Sequence, residues 1–229
     1  MVEFNPEWYK NFLRHTNEKN VLVSEISDLL VGKPHDSCIE IGLGISPYFA
    51  EELSPHFNRY TMVEKRLVDI PLPEGVVLVN EDWESYEPSE RSDVVVASHV
   101  VYYFQDKKRA VQKMFDVLND DGRIFFVANG KEADYGPIKL AFADALGEPY
   151  TFTYDELQGI LEGKSLREYT VPSEIRFTSH EDLFATLRLV FDNYPAEYER
   201  LKSSMTDYMR RNLHGNKFRI EQKIIEAEK

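Results

Sequence analysis

The chain has 229 residues, with 27 Lys and Arg against 40 Asp and Glu and a formal net charge of -13. That length suits one α/β domain, and the acidic balance argues against a generic phosphate-backbone binder, whose affinity rests on basic surface. The single cysteine, Cys38, cannot form an intrachain disulfide and reads as a small buried hydrophobe.

In chain order, residues 5 to 31 read as one or two helices. Trp8, Phe12, Leu13, Val21, Val23, Ile26, Leu29 and Leu30 recur at helical spacing, and Gly32-Lys33-Pro34 is the expected stop. A short strand follows at Cys38 to Ile41, interrupted by Glu40, then a glycine turn through Gly42 and Gly44. A helix is expected after it, with Ser46 as N-cap and Pro47 at the first position. Further strands are expected at Tyr60 to Glu64, Val76 to Val79 and Asp93 to Ala97. The last is β-branched throughout, as suits a strand buried on both faces of a parallel sheet. Ser98 to Phe104 reads as a loop, Lys107 to Leu118 as an amphipathic helix, and Arg123 to Ala128 as the fifth strand. This βα rhythm implies a parallel sheet with right-handed crossovers.

From Asn129 the rhythm changes. Residues 138 to 147 and 153 to 163 are expected to be helical, with Thr153 to Glu156 as a capping box. Arg167 to Phe177 reads as a sixth strand. Residues 179 to 213 read as helical, with a break at Asn193-Tyr194-Pro195, and Ser179 has the pattern of a helix start. Lys217 to Glu226 reads as a last strand that returns to the sheet edge. No signal peptide is read at the N-terminus and no run spans a membrane, so cytoplasm is the default location. No His or Cys pair has metal-ligand spacing.

In an open parallel sheet, ligands bind beyond the carboxyl ends of the strands. Those ends carry Glu40, Gly42 and Gly44, then Glu64 with Lys65, then Asp82-Trp83, then Ser98-His99, then Asn129-Gly130. A carboxylate at Glu64 can accept both hydroxyls of a ribose. Asp82 can accept from an exocyclic amine, and Trp83 can pack on a base. A dinucleotide fold requires a third glycine, where this chain has Ile45-Ser46-Pro47. An anion at Glu40 also sits poorly beside a pyrophosphate. It suits an amine-bearing cofactor such as S-adenosylmethionine, which has no phosphate. His99 is a candidate general base, and Tyr102 and Tyr103 are further candidates for catalytic contact.

The ordered set resembles the class I S-adenosylmethionine-dependent methyltransferases. Glu40 to Gly44 resembles the family's cofactor loop, Tyr60 to Glu64 its ribose-binding strand end, and Glu81 to Trp83 its adenine contact. Ser98 to Phe104 resembles the loop along the methionine moiety, and Leu118 to Phe126 the helix-turn-strand that follows. Pro47 departs from the family pattern. The second half resembles, more loosely and in architecture only, small-molecule methyltransferases of the histamine methyltransferase type.

The resemblance implies a Rossmann-like α/β fold: a seven-stranded, mostly parallel sheet with its last strand antiparallel, helices on both faces, and helical additions in the second half. The whole chain would be a single domain, with residues 1–33 as a helical cap, 34–130 as the cofactor-binding core and 131–229 as substrate-side helices and the last two strands. The implied activity is methyl transfer to a small-molecule acceptor by in-line displacement, releasing S-adenosylhomocysteine. A nicotinamide-dependent oxidoreductase and a non-catalytic cofactor-binding module are the alternatives.

Overall fold

The computed structural model describes residues 5–32, 35–191 and 194–229. The chain opens with two helices, α1 (Pro6–His15) and α2 (Glu18–Leu30). Asn5 caps α1 by accepting from the N–H groups of Glu7 and Trp8. The break between the helices is tied to a distant strand: Asn17 N–H donates to the Glu174 carbonyl at 3.2 Å. Lys33 and Pro34 of the expected stop lie outside the described residues.

Next come β1 (Ser37–Ile41), α3 (Tyr48–Leu53), β2 (Arg59–Val63), β3 (Val76–Val79), β4 (Ser92–Ser98), α4 (Lys107–Asp116) and β5 (Leu118–Asn129). The second half adds α5 (Tyr135–Leu146), α6 (Thr153–Ile160), β6 (Leu166–Arg176), α7 (His180–Thr186), a 3-10 turn (Leu187–Phe191), α8 (Pro195–Asn212) and β7 (Lys217–Glu228).

The seven strands form one sheet in the order β3-β2-β1-β4-β5-β7-β6. The first five pair in parallel, and β7 runs antiparallel to both β5 and β6. This is the expected Rossmann-like sheet with one correction. The last strand does not return to the edge; it inserts between β5 and β6. Its Phe218, Ile220, Ile224, Ile225 and Ala227 are all at most 1% exposed, so it suits a site flanked on both sides. The edge falls to β6, which carries Pro172 and a set of charges (Arg167, Glu168, Glu174, Arg176). Proline and charge are what an edge strand tolerates.

Alternate residues of the strands point to opposite faces. Ile39, Ile41, Val95, Ala97, Ile124 and Phe126 pack toward α4 and α6. Cys38, Val94, Val96, Phe125 and Ile224 pack toward α2 and α3. Cys38 is 1% exposed, and burial pushes its thiol well above the ordinary range, so it is the apolar filler expected. A third cluster joins α1, α5, α7 and α8 over Ile175, Phe218 and Ile220. Of these helices, α1 and α5 contribute residues to the wall of the site described next.

Three local expectations differ. Ser46 does not cap α3. Pro47 stands at the cap, and the Ser46 carbonyl accepts the Lys19 ammonium at 3.3 Å. Thr153 forms no capping box, because it lies inside α6 and Glu156 pairs with Lys107 at 2.5 Å instead. The loop after β4 contains a 3-10 turn at Val101–Tyr103. Ser179 does cap α7, accepting from Asp182 N–H at 3.1 Å.

Candidate active site

The sheet order reverses between β1 and β4, and the crevice belongs there. A cavity of about 620 Å³ opens at that point. Of the residues singled out from the strand ends, Glu40, Gly42, Gly44, Glu64, Lys65, Asp82, Trp83, Ser98, His99 and Asn129 line it, with Tyr102 and Tyr103, and Gly130 does not.

The glycine turn is held by backbone geometry. Gly42 has φ of 77° and Gly44 of 70°, a region that favours glycine. A Cβ on Gly42 would stand 2.9 Å from a Val100 methyl, and one on Gly44 would stand 2.7 Å from the Tyr9 ring. Gly42 N–H donates to the Val63 carbonyl at 2.9 Å, which ties the turn to β2.

Glu64 follows β2 directly and is 4% exposed. One oxygen accepts from Gly44 N–H at 3.1 Å, and the other accepts from Arg66 Nε at 3.0 Å. Arg66 closes the ring by donating to the Gly44 carbonyl at 3.1 Å. Lys65 is exposed at the rim, so Arg66 rather than Lys65 is the cation engaged with this acid.

Glu40 is 4% exposed on the face of β1 that looks toward α2. Tyr60 Oη donates to it at 2.9 Å. Burial, the dominant influence, pushes its carboxyl up to about 7; Lys19 and the Tyr60 hydrogen bond pull the other way. Burial in turn lowers the Lys19 ammonium, whose charge is shared with the faces of Tyr9 and Phe49 at 5.6 and 5.5 Å.

Asp82 and Trp83 stand where β3 ends. Asp82 is half-buried, and one of its carboxylate oxygens accepts from Glu84 N–H at 3.1 Å. Trp83 is 2% exposed and donates its indole N–H to the Ala110 carbonyl at 3.1 Å. Its ring therefore anchors α4 while its edge reaches the cavity. After β4, His99 adopts φ of 51°, with its N–H on the Val127 carbonyl at 3.1 Å. The Tyr102 and Tyr103 rings pack against each other, centroids 4.5 Å apart.

The rest of the wall comes from segments with no motif. Tyr9, Phe12, Glu18 and Lys19 enter from the first two helices. Tyr135, Lys139, Tyr150, Phe152, Leu189 and Val190 enter from α5, the stretch before α6 and the 3-10 turn. Of the acidic-aromatic stretch at 134 to 136, Tyr135 faces the cavity, whereas Asp134 turns away to take Arg219 at 3.2 Å. Lys139 is 7% exposed and donates to the Val190 carbonyl at 2.6 Å. Hydrophobic spacing placed Tyr9 and Phe12 on a helix, but nothing in the sequence marked Glu18, Lys19, Arg66 or Lys139. Among the described residues, no group of His, Cys, Asp and Glu could hold a metal ion, and no helix is long and apolar enough to cross a membrane.

A doubly wound parallel sheet with a glycine turn at its switch point and acids at successive strand ends defines a Rossmann-like cofactor-binding enzyme. The chain belongs to the methyltransferase-domain family, whose model matches residues 12–163. It is an S-adenosylmethionine-dependent methyltransferase, which decides the cofactor against a nicotinamide dinucleotide. Solved structures share the fold. The N-methyltransferase NodS from Bradyrhizobium japonicum WM9, in complex with S-adenosylhomocysteine, is 16% identical with a TM-score of 0.52, covering 90% of this chain and 85% of NodS. The YcgJ protein from Bacillus subtilis is 17% identical with a TM-score of 0.59, covering 90% of this chain and 97% of its own. The plantazolicin methyltransferase BpumL, solved with a monoazolic desmethylPZN analog and S-adenosylhomocysteine, is 12% identical with a TM-score of 0.52, covering 96% and 88%. No curated protein matches in sequence.

The residues present fit S-adenosylmethionine. Two buried carboxylates, Glu40 and Glu64, flank the glycine turn where a dinucleotide would place its pyrophosphate. A side chain at either glycine would intrude on that turn.

Proposed function

We propose that the acceptor is a small molecule, methylated by direct in-line displacement. The observation that carries this reading is the part of the cavity wall outside the strand ends. It includes Tyr135, Phe152 and Lys139, each at most 7% exposed, together with Tyr150, Leu189 and Val190. A cavity lined by aromatic and aliphatic side chains with a handful of polar groups is built for a compact ligand. The chain's charge of -13 opposes a nucleic-acid acceptor.

S-adenosylmethionine supplies a methyl group made electrophilic by its sulfonium. The chain's own residues bind and align. Glu64 takes the ribose hydroxyls and Asp82 the adenine amine. Glu40 takes the α-amino group, with the backbone of Gly42 and Gly44 alongside. Trp83 closes the adenine end, Ser98 lines the wall beside it, and Lys65 stands at the rim. Tyr102 and Tyr103, which line the same cavity, would be available to contact the acceptor. Displacement at a methyl carbon depends on alignment and exclusion of water more than on acid–base chemistry, and enclosure supplies both.

The test is release of S-adenosylhomocysteine with a panel of small amines, phenols and carboxylic acids, run beside peptides and transfer RNA. Turnover with members of the small-molecule set is expected. Turnover confined to the macromolecules would refute the reading.

A further inference from the structure

One polar cluster reaches the cavity wall from segments far apart in the chain. Glu18 on α2 is 5% exposed, and Gln222 on β7 is 0% exposed. Gln222 Nε2 donates to one Glu18 oxygen at 2.8 Å, and it also lies 3.0 Å from Ser173 Oγ. Ser173 Oγ donates in turn to the Ile220 carbonyl at 3.2 Å. The other Glu18 oxygen stands 3.6 Å from His99 Nε2, which is buried and has no hydrogen-bond partner. His99 is one of two non-glycine residues with positive φ among those described. Strained backbone of this kind persists where the surrounding structure holds a side chain in place, and it clusters at functional sites.

Three segments far apart in the chain thus meet behind one imidazole. A buried carboxylate is costly unless it is paired, and here half its pairing is supplied by Gln222. The remaining oxygen faces an imidazole nitrogen just beyond hydrogen-bond range. Catalytic pairs are often loose in an empty site and tighten once a substrate enters. A carboxylate opposite Nε2 selects the tautomer that carries its proton there. That leaves the Nδ1 lone pair for the cavity that the ring lines.

Resting on the methyltransferase reading above, we propose that His99 is the base that accepts the acceptor's proton, with Glu18 and Gln222 as its positioning residues. The acceptor class is then a protic nucleophile, a phenol or a neutral primary or secondary amine. Its heteroatom forms a bond to the methyl carbon as the carbon–sulfur bond breaks, with that electron pair staying on sulfur. The heteroatom's proton passes to His99 Nδ1. The imidazolium so formed keeps its Nε2 proton against the Glu18 carboxylate, and bulk water later takes the added proton. Tyr9 from α1 and Lys19 from α2 act electrostatically on Glu18, and Glu40, Arg66, Tyr102 and Tyr103 also line the cavity.

The test reads the ring itself. Nitrogen-15 correlation spectra of the labelled full chain at high pH, with and without S-adenosylhomocysteine, report the tautomer of neutral His99. A single Nε2–H tautomer is expected in the wild type and in Glu18→Gln, which keeps an acceptor oxygen, and a mixture in Glu18→Ala. For a phenol or primary amine turned over by the wild type, His99→Asn tolerates the left-handed backbone. It should lower kcat by about 100-fold or more, well beyond any loss in S-adenosylhomocysteine affinity. Glu18→Gln should lose part of that rate while keeping the tautomer. A tertiary amine, which has no proton to give when neutral, should lose far less rate in His99→Asn than the phenol or primary amine does. A single tautomer that survives Glu18→Ala, or a kcat unchanged in His99→Asn, overturns the proposal. Failure of the wild type to bind S-adenosylhomocysteine is a separate result, which overturns the methyltransferase reading and not the tautomer assignment.

Discussion

The two ends of the cavity are built differently. The cofactor end is made of strand ends and main chain drawn from residues 37 to 129. The positive φ of Gly42 and Gly44 and the bond from Gly44 N–H to Glu64 set its shape. On the proposed reading, the acceptor end is made of side chains from helices and turns outside that span, such as Tyr135, Tyr150 and Leu189. One end is fixed by backbone geometry, which few sequences satisfy. The other is fixed by which side chains point inward, which many sequences satisfy. A substitution at the first should damage binding of the common cofactor. A substitution at the second should change what is methylated and leave the cofactor in place.

The largest effect should come from Gly44→Val. It places a branched side chain at φ of 70° against the Tyr9 ring. Strain and clash together should weaken S-adenosylhomocysteine binding by roughly 100-fold or more, measured by calorimetry. Binding within a few fold of the wild type would break the contrast at its firmest point. Leu189→Trp tests the opposite end. Filling the cavity beside Leu189 should cut turnover by roughly tenfold or more, with cofactor affinity unchanged. Parallel loss of both would mean that the ends are not separable.

Glu40→Gln should act through pH. Burial raises this carboxyl to about 7, so below that pH it is protonated and a poor partner for an ammonium. Wild-type affinity for S-adenosylhomocysteine should therefore rise as pH goes from 6 to 8, by up to about tenfold per unit below the midpoint. Glu40→Gln should bind more weakly and flatten that dependence. The linkage to stability has the opposite sign. A group whose folded value is raised contributes stability that is full below the unfolded value of about 4.5 and is lost as pH rises through 7. Thermal melts of the cofactor-free chain should thus favour Glu40→Gln at pH 8. An affinity independent of pH would count against Glu40 as the amine's partner. The smallest effect should be Asp82→Ala, a loss of about tenfold in cofactor affinity from one charge-assisted hydrogen bond. No change would remove Asp82 from the adenine contact.

The same division governs what the sequence made readable. Glu40, Gly42, Gly44, Glu64 and Asp82 stand at strand ends, and a strand end can be located from β-branched runs and the turns that follow. Glu18 could not be found that way. It sits on an ordinary amphipathic helix, and its partner Gln222 lies 204 positions away. Arg66 was passed over for Lys65, since the choice between neighbours depends on where each side chain points. The placement of β7 inside the sheet had a sequence signal in Pro172 and the charges of β6, which mark β6 as the edge. The caps at Ser46 and Thr153 failed for a local reason. Each had the right residue type, and neighbours offset the helix start by one position.

The most direct test of the account is calorimetric titration of the wild-type chain with S-adenosylmethionine and S-adenosylhomocysteine. One molecule bound per chain, with affinity in the micromolar range or tighter, is the predicted result. No heat of binding at micromolar protein, from a chain shown to be folded, would contradict it.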